Sequence, residues 1–301
     1  MKEKTKLSED LRTNIDEIKK RCGASADIVA VDVNAGNIRG AGLWCDGMIN
    51  MTLAFETFFK NIMSVRGREY LNARALMENL VRGDQRVIDG KLCDNYEDLL
   101  YAMMCGAAAF VADGCALAAT AIVPGFSYRS VSESYTEENV RSSREGFAEP
   151  IKVNMTLIRR RLKSPDLVFE MTHVGSVSNT MVSVVYLKDR VSRKMVDSIL
   201  ERLRSIDIEM VLESGFIEPF FENRRWSLFS GTGHTERPDT LCGKLREGRV
   251  GILVDGTPFA IILPYLFTEN FQSFDDYTNK PYYTSFIRIV KYLSFFIWLI
   301  A

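Results

Sequence analysis

One spacing of glycine and aspartate occurs twice in this chain and restricts the folds open to it. In each copy a glycine precedes an Asp-Gly pair by seven positions, and a proline closes the stretch. The two sets are Gly106, Asp113, Gly114 and Pro124, and Gly248, Asp255, Gly256 and Pro264. Asp-Gly between apolar runs is a strong signal for a β-hairpin. The recurrence predicts two similar units, each with one such hairpin in its sheet; chance recurrence of a common turn is the alternative.

The order of the remaining segments indicates an α/β (α+β) fold. Helical apolar periods alternate with short apolar runs such as DIVAVDV and TMVSVVYL, which are typical of strands. We predict two similar α/β subdomains, each with a small mixed sheet and packed helices. The predicted parts are residues 1–125, a polar serine-rich linker at 126–146, a second subdomain at 147–278, and a terminal segment at 279–301. Ser8 is predicted to cap the first helix, which ends before Gly23.

Composition excludes several classes of protein. The 301 residues are 47% hydrophobic with a net charge of -1, which is a globular balance. A chain without excess positive charge is a poor candidate for bulk electrostatic binding of nucleic acid, so we expect no nucleic-acid partner. The polar N-terminal region lacks the apolar core of a signal peptide, so we expect no export.

The reactive residues do not form a catalytic or metal-binding pattern. The six cysteines are widely spaced, without a C-x-x-C pair, and the chain has two histidines. This spacing favours reduced, mostly buried thiols over a metal site. The sequence also lacks the glycine-rich, metalloprotease and nucleophile motifs of common enzymes. We therefore predict no enzymatic activity, no cofactor and no metal.

Consecutive arginines at 159–161, followed by Lys163, mark the end of a predicted helix. The simplest interpretation is a solvated, ion-paired face. The alternative is a contact with an acidic partner or with anionic lipid headgroups, since guanidinium groups bind carboxylates and phosphates well.

The chain ends on the apolar run YLSFFIWLIA. A membrane-spanning helix needs roughly 20 mostly apolar residues, about twice what this run supplies. Arg288 and Lys291 lie just before it, which by the positive-inside rule places the preceding domain on the cytoplasmic side. We therefore predict a helix from Pro281 that enters the membrane and is cut off after its first part. A buried C-terminal core helix is the alternative.

Several strings together resemble the A subunits of the GerA-type spore germinant receptors. They are REGFAEPIKVNMTLIRRRLKSPDL, HTERPDTLCGKLREGRVGILVDGTPFAIILP and FQSFDDY, in that order. The resemblance covers residues from about 129 to the end, with a looser match upstream. A related stage V sporulation membrane protein shares most of these strings, but VDGTPF and SGFIEPF are more similar to the receptor branch.

The resemblance implies a function, partners and a location. It implies the N-terminal cytoplasmic domain of a receptor A subunit in the spore inner membrane, which couples nutrient-triggered germination to ion release. The implied partners are the receptor B and C subunits, further copies of the A subunit, and membrane lipids near the C-terminus. The alternatives are the stage V sporulation protein and a soluble small-molecule-binding module with its ligand between the subdomains.

The candidate site residues come from the shared strings and from the terminal run. The candidates for structural or partner contacts are Glu149, Asn154, Arg159, Arg160, Arg161, Thr235, Glu236, Arg237, Asp255 and Asp276. The candidates near the membrane are Arg288, Lys291, Tyr292 and Trp298. In the string TERPD, Pro238 suits the first turn of a helix and Asp239 suits its positive end. Glu236 and Arg237 are then expected to tie the preceding loop to its own subdomain.

Overall fold

The structure is a computed structural model that describes residues 4–65, 72–82, 89–125, 145–222, 230–271 and 281–300. The predicted linker at 126–146 lies outside these ranges except for its last two residues. Asp276, one of the candidate residues, also lies outside them.

The first half of the chain alternates helices and strands as its apolar pattern predicts. The elements are α1 (Leu11–Arg21), β1 (Ile28–Asp32), β2 (Gly40–Cys45), α2 (residues 51–63), α3 (Ala73–Arg82), β3 (Lys91–Cys93), α4 (Tyr96–Met104), β4 (Ala107–Ala112) and β5 (Ala118–Ile122). Within α2, Phe55–Phe59 forms a π-helical turn. Strand β3 was not predicted, because three residues are too few to display a period.

The second half repeats this alternation. Its elements are α5 (Ile151–Arg161), β6 (Leu167–Val174), β7 (Thr180–Leu187), α6 (Arg193–Arg204), β8 (Gly233–Thr235), α7 (Pro238–Arg246), β9 (Val250–Val254), β10 (Ala260–Leu263) and α8 (Pro281–Ile300). Short 3-10 turns occupy Ser214–Phe216, Glu218–Phe220 and Phe267–Phe271.

The strands form two five-stranded sheets with the same topology. The first has the order β1-β2-β4-β5-β3, and the second has the order β6-β7-β9-β10-β8. Each strand of the second sheet thus corresponds to the strand of the first sheet whose number is lower by five: β6 to β1, β7 to β2, and so on. All pairs of the first sheet are antiparallel, as are β8–β10 and β9–β10, so the predicted mixed sheets are corrected to antiparallel ones. The fold is α+β with two similar halves, and each sheet contains one Asp-Gly hairpin, as predicted.

The recurring glycines occupy positions that require positive φ. Gly106 and Gly248 follow α4 and α7 with φ of 91° and 86°, and the hairpin glycines Gly114 and Gly256 have 77° and 85°. A side chain at such φ values is strained, so glycine is strongly favoured at all four. The spacing seen in the sequence is therefore the spacing of helix end and hairpin turn.

Helices cover both faces of the first sheet. Phe110 of β4 belongs to a cluster with Phe58 of α2, whereas its neighbour Val111 belongs to a cluster with Leu99 of α4. Adjacent residues of a strand point to opposite faces, so a strand covered on both sides is apolar throughout. This accounts for the uninterrupted run AAAFVA, which is buried at every position.

The chain divides into two compact units. Unit 1 consists of residues 1–129, 152–171 and 185–189, and unit 2 of residues 130–151, 172–184 and 190–301. This division is not contiguous along the chain, since helix α5, apart from its first residue, belongs to unit 1. The boundaries drawn from the sequence, which follow the chain order, stay a prediction.

The first helix begins two residues later than its predicted cap allows. Asp10 is the N-cap, and its carboxylate accepts a hydrogen bond from the amide of Thr13 at 2.7 Å. Ser8 instead accepts a bond from the Asp10 amide at 3.1 Å. Both residue types cap helices well, and the apolar pattern alone does not choose between two caps so close together.

Candidate functional site

Each Asp-Gly hairpin caps the first helix of its own half. The carboxylate of Asp255 accepts a hydrogen bond from the amide of Ile151 at 2.9 Å, and the Gly256 amide donates to the carbonyl of Glu149 at 2.9 Å. In the first half, Asp113 accepts from the Leu11 amide at 3.3 Å in the same way. A carboxylate at a helix N-terminus satisfies a free amide and is favoured by the helix dipole. Asp255 and Glu149 thus join hairpin and helix.

The TERPD string forms the entry to α7, as predicted. Pro238 is the first helical residue and Asp239 lies in the first turn. The Arg237 guanidinium, 2% exposed, donates to both carboxylate oxygens of Asp239 at 3.1 and 2.7 Å. Thr235 Oγ1 accepts from the Arg237 amide at 3.1 Å, and the Glu236 carbonyl accepts from the Phe147 amide at 2.7 Å. The string, which runs from the end of β8 into the first turn of α7, is therefore largely buried and internally bonded.

Arg159 does not lie on a solvated face, which corrects that interpretation for this residue. Its side chain is 1% exposed, and within unit 1 its Nε and Nη2 donate to the carboxylate of Asp27 at 2.8 and 2.9 Å. The same guanidinium donates to the carbonyls of Ser164 and Leu167 at 2.7 and 3.0 Å. Because these partners satisfy most of its donors, Arg159 can be buried as an ion.

The other two arginines of the run are less buried. Arg160 and Arg161 are both half-buried, and Arg161 Nη1 donates to the Leu157 carbonyl at 3.4 Å. Asn154, one turn earlier on the same helix, is 1% exposed. Of the three consecutive arginines, one is therefore buried in the core and two are half-buried.

Two cysteine thiols lie beside the ion pair of Arg159 and Asp27, and neither is activated as a nucleophile. Burial raises the pKa of Cys22 to about 11. Burial and the neighbouring Asp27 carboxylate raise the pKa of Cys45 well above its usual range, and its thiol lies 3.3 Å from that carboxylate. Since the thiolate is the nucleophile, neither thiol is activated. For Arg159, burial is the largest single influence and acts to lower the guanidinium pKa. The charge and hydrogen bonds of Asp27, together with the neighbouring Cys45 and Cys22, jointly outweigh burial, so the pKa is raised.

Asp27, Ser25 and Glu269 are the residues that the sequence reasoning missed. Ser25 Oγ donates to Asp27 at 2.6 Å and accepts from the Phe169 amide at 2.9 Å. Glu269 is 3% exposed and pairs with Arg249. No local pattern identifies Asp27 or Glu269 as buried, because acidic residues are mostly exposed. Only the distant partner explains each of them.

Unit 1 has open cavities, and one of them is lined by paired charges. One cavity of about 400 Å³ is lined by residues that include Arg21, Glu97, Asp166 and Lys188. Arg21 pairs with Glu97 at 2.6 Å and Lys188 with Asp166 at 3.3 Å. Across the described ranges there is no group of three or more metal-ligating side chains.

The C-terminal segment is one helix, α8, as predicted from Pro281 onward. Its apolar side chains are largely exposed: Phe286 is 65% exposed, Ile297 67% and Trp298 76%. Arg288, Lys291 and Tyr292 are half-buried. Among the described residues, no helix has both the length and the apolar character needed to cross a membrane.

The fold and these motifs define a two-sheet α+β domain with a tandem repeat and an exposed apolar terminal helix. The family model described as Bacillus/Clostridium GerA spore germination protein matches residues 16–301. The chain belongs to the GerA family, which confirms the resemblance found in its motifs.

Individual relatives agree with this assignment. Spore germination protein KA of Bacillus subtilis (strain 168) is 34% identical over 98% of this chain and 54% of its own length. The uncharacterized membrane protein YfkQ of the same organism is 36% identical over 64% of this chain and 37% of its own length. The chain therefore spans about half, or less, of the length of these relatives.

A solved structure matches most of this chain. The crystal structure of the N-terminal domain of the A subunit of the Bacillus megaterium spore germinant receptor GerK3 is 28% identical to this chain, with a TM-score of 0.66. The match covers 88% of this chain and 99% of that domain.

Proposed function

We propose that the chain is the N-terminal domain of the A subunit of a spore germinant receptor and acts in nutrient-triggered germination. One observation carries the proposal: the fold matches almost all of the GerK3 A-subunit N-terminal domain at 28% identity. That domain belongs to a receptor A subunit, which supports the receptor branch over the stage V sporulation branch.

Within a receptor, this domain assembles and couples rather than catalyses or recognises nutrients. The family motifs support this role, because their side chains serve the fold. Asp255 caps α5, Arg237 binds Asp239, and Arg159 binds the buried Asp27. They do not converge on a nucleophile with its base. The proposed partners are the receptor B and C subunits and further A subunits.

The proposal places the domain at the spore inner membrane on its cytoplasmic side. Helix α8 supports this location, since Phe286, Ile289, Leu293 and Ile297 are each more than half exposed. Apolar surface of this extent on a helix end is suited to lipid or to further membrane helices. Arg288 and Lys291 are in reach of headgroup phosphates from the same helix.

The experiment is a nutrient dose response in spores that carry altered receptor genes. Arg159→Met weakens the domain core, and Arg39→Met removes the same charge at an exposed position as the matched control. We expect Arg159→Met to lower the extent of ion release and the amounts of B and C subunits in the spore membrane, with the half-maximal nutrient concentration unchanged. A shifted half-maximal concentration with normal subunit amounts would contradict the coupling role, and normal germination would contradict the proposal altogether.

Glu236 and Arg237 are proposed to be structural. Arg237 is 2% and Glu236 9% exposed, which leaves little surface for a ligand. Arg237→Ala should therefore lower the melting temperature of the purified chain, because the half-buried Asp239 loses the two hydrogen bonds from the guanidinium and keeps the one from the Thr240 amide. Arg237→Lys should recover only part of the loss, since an ammonium group does not form the bidentate hydrogen bonds that the guanidinium makes with the Asp239 carboxylate. Unchanged melting together with lost germination would point to a direct role instead.

A further inference from the structure

Three apolar side chains of unit 2 lie exposed on neighbouring segments. Val177 is 70%, Met210 47% and Leu212 61% exposed. Val177 is in the β6–β7 turn, and its amide donates to the Glu209 carbonyl at 2.9 Å. The amide of Val211 donates to Ser178 Oγ at 3.0 Å, which holds the segment after α6 against the same turn. The three side chains therefore belong to one ordered surface.

The Asp-Gly turn of the second sheet adjoins this surface. A Cβ added at Gly256 would lie 3.9 Å from the Leu212 carbonyl. Asp255, its neighbour in the turn, is exposed. We call the three apolar residues and the carboxylates of these adjoining segments the 177–212 patch.

The carboxylates of the patch have no ion-pair partner among the described residues. Four exposed acidic residues occur in these segments, and a fifth, Glu149, adjoins them because its carbonyl accepts the Gly256 amide. The five are Glu149, Asp207, Glu209, Glu213 and Asp255. In the part of the chain that the structure describes, none of them forms a salt bridge. An apolar centre with a rim of uncompensated negative charge is the result.

The first half of the chain provides an internal comparison. There the hairpin aspartate, Asp113, pairs with Arg39 at 2.7 Å. The equivalent of Arg39 in the second half is Met181, since the carbonyls of Arg39 and Met181 each accept the amide of the hairpin aspartate at 2.9 Å. The same turn is thus charge-compensated in one half and left acidic in the other, so the fold itself does not require the open charge.

We propose that the 177–212 patch binds a basic, amphipathic segment of a partner protein. Exposed apolar patches rimmed by polar groups are typical of interaction sites. The three apolar side chains form the centre, where most binding energy resides, and the carboxylates form a rim that steers a positively charged segment. Anionic lipid and nucleic acid are repelled by the same rim, so a protein segment is the occupant.

This inference does not depend on the receptor assignment, because it uses only the surface of unit 2. Its test therefore uses the purified chain and a defined probe. The probe is a labelled 18-residue helical peptide of leucine and lysine on opposite faces, and the matched peptide has glutamate in place of lysine. Binding is measured by fluorescence anisotropy at about 50 and about 500 mM salt, which span weak and strong screening.

We expect the lysine peptide to bind and the glutamate peptide to bind at least tenfold more weakly at low salt. The double variant Met210→Ser, Leu212→Ser should bind the lysine peptide about tenfold more weakly, which is the scale expected for losing two anchor side chains. The double variant Glu209→Gln, Glu213→Gln should lower the affinity for the lysine peptide at low salt and have little effect on it at high salt. Val31→Ser, which alters an exposed apolar residue of unit 1, is the control and should change nothing.

The apolar helix α8 is the competing site for such a peptide. If the peptide binds there, all four patch substitutions leave its affinity unchanged, and the proposal is wrong. Equal affinity for both peptides would also overturn it, because the rim would then play no part. Circular dichroism melting of each variant separates a lost surface from a lost fold.

Discussion

Replacing Arg159 with methionine tests how far the core of unit 1 depends on one buried ion pair. The change keeps an unbranched side chain of similar length and removes the charge. Among the described residues, the carboxylate of Asp27, whose side chain is 4% exposed, then keeps the Ser25 hydroxyl at 2.6 Å and the weaker Cys45 thiol contact at 3.3 Å as its only partners. The carbonyls of Ser164 and Leu167 also lose their guanidinium donor.

The expected loss of stability is about 4 kcal/mol. Breaking a buried pair by removing one partner costs about 3–5 kcal/mol, because the remaining charge is left uncompensated. The bond from Ser25 to Asp27 moderates this loss, and the two freed carbonyls add to it. For a unit of this size, a change of this magnitude lowers the melting temperature by about 10 °C.

The assay is urea unfolding of the purified chain, followed by circular dichroism, with Arg39→Met as the matched control. Arg39 pairs with Asp113 at 2.7 Å, almost the same distance, but its side chain is 78% exposed. Exposed pairs contribute about 0–1 kcal/mol, so the control should change little. Asp27→Asn and the double variant complete a cycle that isolates the pairwise energy.

A loss below about 1 kcal/mol for Arg159→Met would refute the reasoning, since it is the value of a solvated pair. Equal losses for Arg159→Met and Arg39→Met would do so as well. A double variant as stable as the parent protein would show that the pair contributes no net stability, as is the case for some buried ion pairs.

Three further outcomes are expected. Asp255→Ala should lower the free energy of unfolding by about 1 kcal/mol in urea, because α5 loses its carboxylate cap. Iodoacetamide at pH 8 should label Cys105, which is half-buried, but leave Cys22 and Cys45 unlabelled by mass spectrometry, since burial raises the pKa of both thiols; equal labelling would contradict this. Ending the chain at Lys291 should raise its solubility by light scattering and change the unfolding free energy by less than about 1 kcal/mol; a loss of several kcal/mol would instead identify the removed residues as core.

The local features of this fold were predictable because local chemistry determines them. Helical periods and apolar runs predicted nearly all helices and strands, since each element must place its apolar side chains on its buried side. The spacing from Gly106 to Asp113 and from Gly248 to Asp255 predicted two similar halves. It did so because a helix end and a tight turn each need a glycine at positive φ, and in each half a single β-strand connects the two positions.

The candidate residues show where sequence reasoning ends. TERPD was placed correctly because Pro238 and Asp239 have position-specific roles at a helix start. Arg159 was not, because a run of arginines is typical of a surface. Its burial depends on Asp27, a residue 132 positions away that no local pattern connects to it.

The sequence by itself determined the elements, the repeat and the family of this protein, since these depend on neighbours along the chain. Only the tertiary structure decided which charges are buried and which apolar side chains are exposed. Asp27 is neutralised by Arg159 within the core, whereas Asp255 is left without a cation among the described residues because Met181 stands where the first half has Arg39. The free energy of a charge depends on what surrounds it in space, and residues distant in sequence provide those surroundings.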